Sequence, residues 1–268
     1  MFEFLNYDFM INAILASILS SIACGIIGSY IVVKRLVFLS GGIAHSAYGG
    51  IGLGYLLSFN PILGAVGSSI VGAIFVSKMR KNRSENEDIL IGIVWALGMA
   101  LGVLFIGMSS GYAPDLMSYL FGNILTVSTT ELYLMLMADF VIVFVAMTFF
   151  RQFQAITFDE EYSHTTGLNV DKYYLILFIL IAVSIVLLIK LVGIILVLAL
   201  LTIPAAISKF FATSLGKMMV LSIGLGLVFT IIGLLLSYYL NLPSGSAIII
   251  LSVMGYFIAY TLKNLITK

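Results

Sequence analysis

Charges are sparse along this chain, and they cut it into nine apolar stretches: roughly 9–33, 36–57, 62–77, 89–109, 130–150, 173–189, 191–211, 218–240 and 245–262. A helix that crosses a bilayer needs about 20 mostly apolar residues. The pattern therefore predicts an all-α, polytopic transmembrane helix bundle of eight or nine spans, the third and sixth stretches being short for a crossing. The whole chain, 1–268, reads as a single transmembrane domain. Small residues recur every four positions inside it: Gly42, Ser46, Gly50 and Gly54 in the second stretch, Gly64, Ser68 and Gly72 in the third, Gly98 and Gly102 in the fourth. With no bulk on such a face, helix backbones can approach closely, and close packing replaces the missing hydrophobic drive between helices in lipid.

Composition narrows the picture further. The chain is 62% hydrophobic and only 9% charged, against about 25% charged residues in a soluble domain. So few charges cannot cover a water-facing surface, which excludes both a disordered chain and a water-soluble fold. A net charge of +1 supplies no basic field for nucleic acid. The one cysteine, Cys24, can form no intrachain disulfide and no cysteine-built zinc site. The first eight residues contain no Lys or Arg, so they lack the positive head of a secretory signal, and the first stretch reads as a retained span.

The basic residues give a direction. With the N-terminus outside and nine spans, twelve of the thirteen Lys and Arg fall on the cytoplasmic side and only Lys190 falls outside, placing the C-terminus in the cytoplasm. Two cytoplasmic joints stand out. The first, 78–88, is a basic cluster followed by acids that open the next helix. In the second, residues 159–167 read as a short helix: Asp159, Glu160 and Glu161 at its positive end, and Gly167 free to take the left-handed turn that closes it. Phe158 and Tyr162, four apart, are expected on one face of this element, which spans about 156–170 and could dock a partner protein or lie among lipid headgroups. No phosphate-binding G-x-x-x-x-G-K-[ST] loop is present, so any ATP-driven step needs a separate subunit.

His45 falls near the middle of the second span, where an ionisable group is costly and marks function by default. Gly41 and Gly49 lie four residues to either side of it, leaving room for a passing ligand or a close helix. Neutral imidazole is a good ligand for divalent transition metals. Ser46 and Tyr48 are neighbouring donors. Asp139, near the middle of the fifth span, is a second buried ionisable group that either partners His45 or pairs elsewhere; Glu131 and Asp115 read as outer, solvated acids. Pro204 is expected to kink the seventh span. Gly107-Met-Ser-Ser-Gly111 matches G-x-S-x-G but follows no strand and has no histidine placed to activate Ser109. No H-E-x-x-H is present, so the chain reads as no enzyme.

Several segments resemble one family, the integral-membrane permeases of bacterial and archaeal ABC importers for zinc, manganese or iron. They are Phe38 to Gly52 around His45, Glu87 to Gly102, Tyr119-Leu-Phe-Gly-Asn-Ile-Leu125, Phe158-Asp-Glu-Glu161 with Gly167-Leu168, and Val192 to Ala206. The resemblance implies a homodimeric permease in the cell membrane, with a transient metal pathway at His45; a second ligand would come from Asp139, from Ser46 or Tyr48, or from the other subunit. It also implies an ABC ATPase that carries the ATP and docks on Phe158, Asp159, Glu160, Glu161 and Gly167. An extracytoplasmic metal-binding protein would deliver the ion, zinc or manganese first among the candidates. Many relatives carry Asp four residues before the histidine and Pro four after; here Gly41 and Gly49 stand at those places. The alternative reading is a transporter driven by a proton or ion gradient, with His45 and Asp139 as relay.

Overall fold

A computed structural model describes residues 7–80, 87–109 and 122–266, and among these every regular element is helical. The long helices are α1 (Asp8–Lys34), α2 (Val37–Leu56), α3 (Pro61–Arg80), α4 (Glu87–Met108), α5 (Thr129–Thr148), α8 (Val170–Val192), α9 (Ile194–Phe211), α10 (Leu215–Leu240) and α11 (Ser244–Ile266). Two short ones, α6 (Phe150–Phe158) and α7 (Glu160–Thr165), lie between α5 and α8, and a 3-10 turn, Ile124–Thr126, precedes α5. The two stretches that read as short are full-length helices of 20 and 23 residues, α3 and α8.

Local chemistry sets the helix ends. Ser128 caps α5 in a reciprocal box: its backbone N–H donates to Glu131 Oε2 at 2.9 Å while its hydroxyl accepts from the Glu131 N–H. Glu131, expected to be merely solvated, is thus a cap. Asn169 and Ser214 cap α8 and α10 through the N–H groups of Lys172 and Lys217. Arg35 closes α1 in the left-handed region at φ 61°, and the chain turns straight into α2.

Contacts between helices fix their directions. Residues 25 and 21 of α1 meet 223 and 226 of α10, so these two run antiparallel, as do α10 and α11 where Gly233 meets Ile248. α2 and α3 are antiparallel through Gly50 and Gly64, whereas α2 and α4 run parallel, Gly42 meeting Ile91 and Gly52 meeting Gly102. One end of the bundle holds the starts of α1, α5 and α11: Asn12 donates to the Val127 carbonyl at 3.1 Å, and Ser244 to Asn123 Oδ1 at 3.3 Å. At that end Gly122, φ 56°, lies so close to Val192 and Gly193 that any Cβ would overlap their backbone. The other end holds the end of α1 with α6 and α7, and there lie Lys34, Arg35, Arg151, Lys172, Lys209, Lys217 and Lys263.

Eight of the nine long helices are long and apolar enough to cross a membrane. The exception is α2, which carries six glycines, two serines and His45. It is also the most enclosed, with α4 and α3 on two sides and α8 behind. Its low apolar content follows from that position: it faces other helices rather than lipid.

Candidate functional site

The glycines of α2 and α4 bring two backbones together and so place the histidine. A Cβ on Gly98 would run into Ser46, and one on Gly102 would lie 2.7 Å from the Tyr48 carbonyl oxygen. On the other side, Gly50 and Gly64 interlock, each facing the other's carbonyl. The ladders read in the sequence are therefore contact surfaces. Held this closely, α4 lays two side chains against His45. The Trp95 ring stacks on the imidazole at 4.3 Å between centroids and 10° between planes. Met99 Sδ lies 3.3 Å from His45 Nδ1. The Tyr48 ring is near-parallel to the imidazole at 6.2 Å. His45 itself is only half-buried, so part of its ring stays open to an approaching ligand.

The neighbouring positions are filled differently. Gly41 lies under Trp95, where a Cβ would stand 3.0 Å from the indole edge; a carboxylate at this place would meet that ring. Gly49 faces the Gly98 carbonyl, 3.2 Å from where its Cβ would be. Ser46 is buried and donates to the Ile43 carbonyl at 2.8 Å, so its hydroxyl proton is already used. Behind them, α3 and α4 diverge over α2 and leave a groove of about 630 Å³, floored by Ser46, Gly49 and Gly50 and walled by Val71, Phe75 and Leu97. His45 does not line it.

Asp139 sits elsewhere. It is buried on the face of α5 that meets α1, within electrostatic reach of Cys24, and its Oδ2 has no hydrogen-bond partner. α5 packs on α1, α6 and α8, whereas α2 packs on α3, α4 and α8; the ring and hydrogen-bond contacts of His45 come from α2 and α4. The two residues are not brought together. Among the described residues no group of three or more His, Cys, Asp and Glu could hold a metal ion.

At the basic end, the short helix read at 159–167 is α7, Glu160–Thr165 with Asp159 as its cap, and α6 precedes it as a separate helix. Asp159 is extended, φ −145°, and its carboxylate accepts from the Tyr162 N–H at 2.9 Å, so α6 stops at Phe158 and a new helix starts. Phe158 and Tyr162 belong to separate helices, and the four-residue spacing does not put them on one face; both are nonetheless exposed. Gly167 takes φ 80° as the sequence suggested, and the Leu168 N–H returns to the Ser163 carbonyl at 3.1 Å. Glu160 points inward: Lys34 Nζ lies 3.3 Å from its Oε2 and donates to the Ile156 carbonyl at 3.2 Å, and the Tyr174 hydroxyl donates to both. Glu161 remains on the outer surface with Asp159 and Tyr162. α9 runs unbroken through Pro204, and Ser208 Oγ donates to the Pro204 carbonyl at 2.8 Å. Ser109 donates to the Ile106 carbonyl at 2.8 Å; Gly111 and Asp115 lie outside the described residues.

Trp95, Met99 and the Lys34–Glu160–Tyr174 contact were not singled out from sequence. The row 91, 95, 98, 102 of α4 sets glycines beside the chain's one tryptophan, which marks a close-packing face but does not say that it meets α2, and Met99 lies off that row.

Comparison with known proteins adds three findings. The family model described as ABC 3 transport family matches residues 6–263. An uncharacterised membrane protein of Synechocystis is 47% identical over 98% of this chain and 94% of its own, and the manganese transport system membrane protein MntC of Listeria monocytogenes is 31% identical over 96% and 91%. Among solved structures, PsaBC from Streptococcus pneumoniae in complex with Fab is similar at TM-score 0.84 and 29% identity, covering 95% of this chain and 91% of that one.

Proposed function

The chain belongs to the ABC 3 transport family, and from that membership we propose that it is the membrane-spanning permease of an ATP-driven importer for a divalent transition metal, zinc or manganese. It is the transport subunit and not the enzyme: a separate cytoplasmic ABC ATPase hydrolyses ATP. An extracytoplasmic metal-binding protein delivers the ion, and two copies of the permease form the working unit in a bacterial or archaeal cell membrane. The basic end of the bundle faces the cytoplasm, with the N-terminus outside, because lysine and arginine are retained on that side.

The observation that carries the reading is the seat of His45. The residue lies midway along the most enclosed helix, half-open, with a neutral aromatic and thioether surround that leaves the imidazole free to bind a cation and release it. Conduction needs binding weak enough to let the ion leave, and a seat with few donors fits that need better than a closed four-ligand site would. The coupling element, about 156–170, presents Phe158, Glu161 and Tyr162 to the ATPase. Glu160 holds it to α1 and α8 through Lys34 and Tyr174. Asp139 lies off this route and serves packing between α5 and α1.

The test is ATP-driven uptake in liposomes by the permease assembled with its ATPase and a loaded binding protein. His45→Ala should leave assembly and basal ATP hydrolysis intact and remove most of the uptake. Full uptake by that variant would take His45 out of the pathway. Uptake with no ATPase present would replace the whole reading with a gradient-driven one.

A further inference from the structure

The geometry points to His45 and Met99 as a nitrogen–sulfur donor pair that a passing metal ion bridges, so that the permease favours a borderline cation such as Zn²⁺ over the harder Mn²⁺. This inference rests on the permease reading above and adds to it a donor set and a metal preference.

Three observations support it. The first is the spacing. Zinc binds imidazole nitrogen at about 2.0 Å and thiolate sulfur at about 2.3 Å, which sets two such donors about 3.5 Å apart on one tetrahedral ion; a neutral thioether, the weaker ligand, stands no closer. His45 Nδ1 and Met99 Sδ are 3.3 Å apart already. The second is how the pair is held. The Gly98–Ser46 contact fixes α4 against α2, and Trp95 stacked on the imidazole at 4.3 Å fixes the ring plane. A half-buried ring pinned on one face is already oriented for an ion; on binding, the Nδ1 proton that points at the Met99 sulfur moves to Nε2, and the ion takes its place. The third is what is missing from the surroundings. α2, α3 and α9 contain no Asp or Glu, α4 has only Glu87 and Asp88 at its first two positions, and α8 has only Asp171 near its start. No helix packed closely on α2 therefore offers a carboxylate at the depth of His45. The carboxylate that is buried, Asp139, faces α1.

Manganese is best served by carboxylate, carbonyl and water oxygens, whereas imidazole and thioether suit zinc and its softer neighbours. For nitrogen and sulfur donors the affinity order also places zinc above manganese. The seat at His45 thus discriminates in the direction opposite to an oxygen-lined one, and waters complete the shell of an ion that is only passing.

The experiment uses the permease–ATPase complex, with ZnCl₂ and MnCl₂ as probes. Met99→Leu keeps the volume and removes only the sulfur. X-ray absorption at the zinc edge should show one sulfur scatterer beside nitrogen in the native complex, lost in Met99→Leu and lost with the site in His45→Ala. Zinc binding should weaken by about tenfold or more in Met99→Leu, since even a group that only supports a metal ligand costs that much when lost, while manganese binding, weak throughout, stays as it was. An unchanged zinc signal in either variant, or equal weakening of both metals, overturns the inference. A native complex that shows the sulfur signal but imports no metal would instead remove the permease reading, so the two failures are distinguishable.

Discussion

His45 on α2 and Asp139 on α5 are both ionisable groups midway along long helices, yet their helices are held in different ways. α2 meets α3 and α4 backbone to backbone, through Gly50 against Gly64 and Gly102 against Tyr48. α5 is held on one side only, by a stripe of ordinary side chains: Leu132, Met135, Ile142 and Ala146 are buried, while Tyr133, Met137, Phe140 and Phe144 are exposed. Asp139 belongs to that stripe and ends in an oxygen with no partner; His45 ends against a sulfur and an indole and keeps an open side. Depth alone therefore does not identify a pathway. An ionisable group can carry a passing ion when it has access and a fellow donor; His45 is half-buried with the Met99 sulfur beside it, which is what the reading proposed above rests on.

The comparison is broken most forcefully at the backbone contacts. A side chain at Gly50 would overlap the Gly64 carbonyl, and since that carbonyl belongs to a helix backbone it cannot swing aside. Gly50→Leu should destabilise the bundle by more than about 3 kcal/mol, beyond the usual range for overpacking, and abolish the assembled complex on size exclusion. Gly92 lies one face round on α4 with nothing within 4 Å of an added Cβ. Gly92→Ala should change stability by no more than about 1 kcal/mol, in the stabilising direction. Equal tolerance of the two substitutions would show that α2 is not seated by its glycines.

The contrast also shows what the sequence could and could not convey. All nine long helices lie where the apolar stretches lie, because span length depends on local hydropathy and charge. The glycine ladders translated directly into contacts, because a ladder on one face of a helix needs only the helical period to be read. The partners of His45 were out of reach. Which face of α4 turns toward α2 depends on how both helices rotate in the bundle, and no spacing within α2 contains that. The shared face expected of Phe158 and Tyr162 failed differently: the break at Asp159 resets the helical phase, so a four-residue spacing counted across it does not hold the two side chains on one face. Glu160 and Glu161 both follow that break, and one turns inward and the other outward because consecutive residues of a helix point about 100° apart.

Asp139→Asn separates the two buried groups more gently. The amide has the same shape and cannot ionise, and it replaces a carboxyl whose Oδ2 is unpartnered. Stability should stay level or rise by about 1 kcal/mol, the scale of one unsatisfied buried polar group, with uptake in liposomes close to native. A severe loss of uptake in a complex that still assembles would put Asp139 on the route and make the two regions one.

The smallest effect is expected where the two regions join, at α1. This helix passes Cys24, beside Asp139, and ends at Lys34, three residues before α2 begins. Lys34 and Glu160 are 22% and 26% exposed, so the ion pair is partly screened and contributes about 1 kcal/mol or less. Glu160→Lys should therefore lower the melting temperature only slightly. It should also loosen α7 from the end of α1, and fewer ions should enter per ATP hydrolysed. Exchanging the pair, Lys34→Glu with Glu160→Lys, should restore that ratio in part, because the ion pair returns but the donation from residue 34 to the Ile156 carbonyl and that from Tyr174 to residue 160 do not. Glu161→Lys, on the outer surface, should leave the melting temperature alone and weaken ATPase association in a salt-dependent way. If both single reversals acted through association alone, Glu160 would be part of the docking surface rather than the tie that seats it.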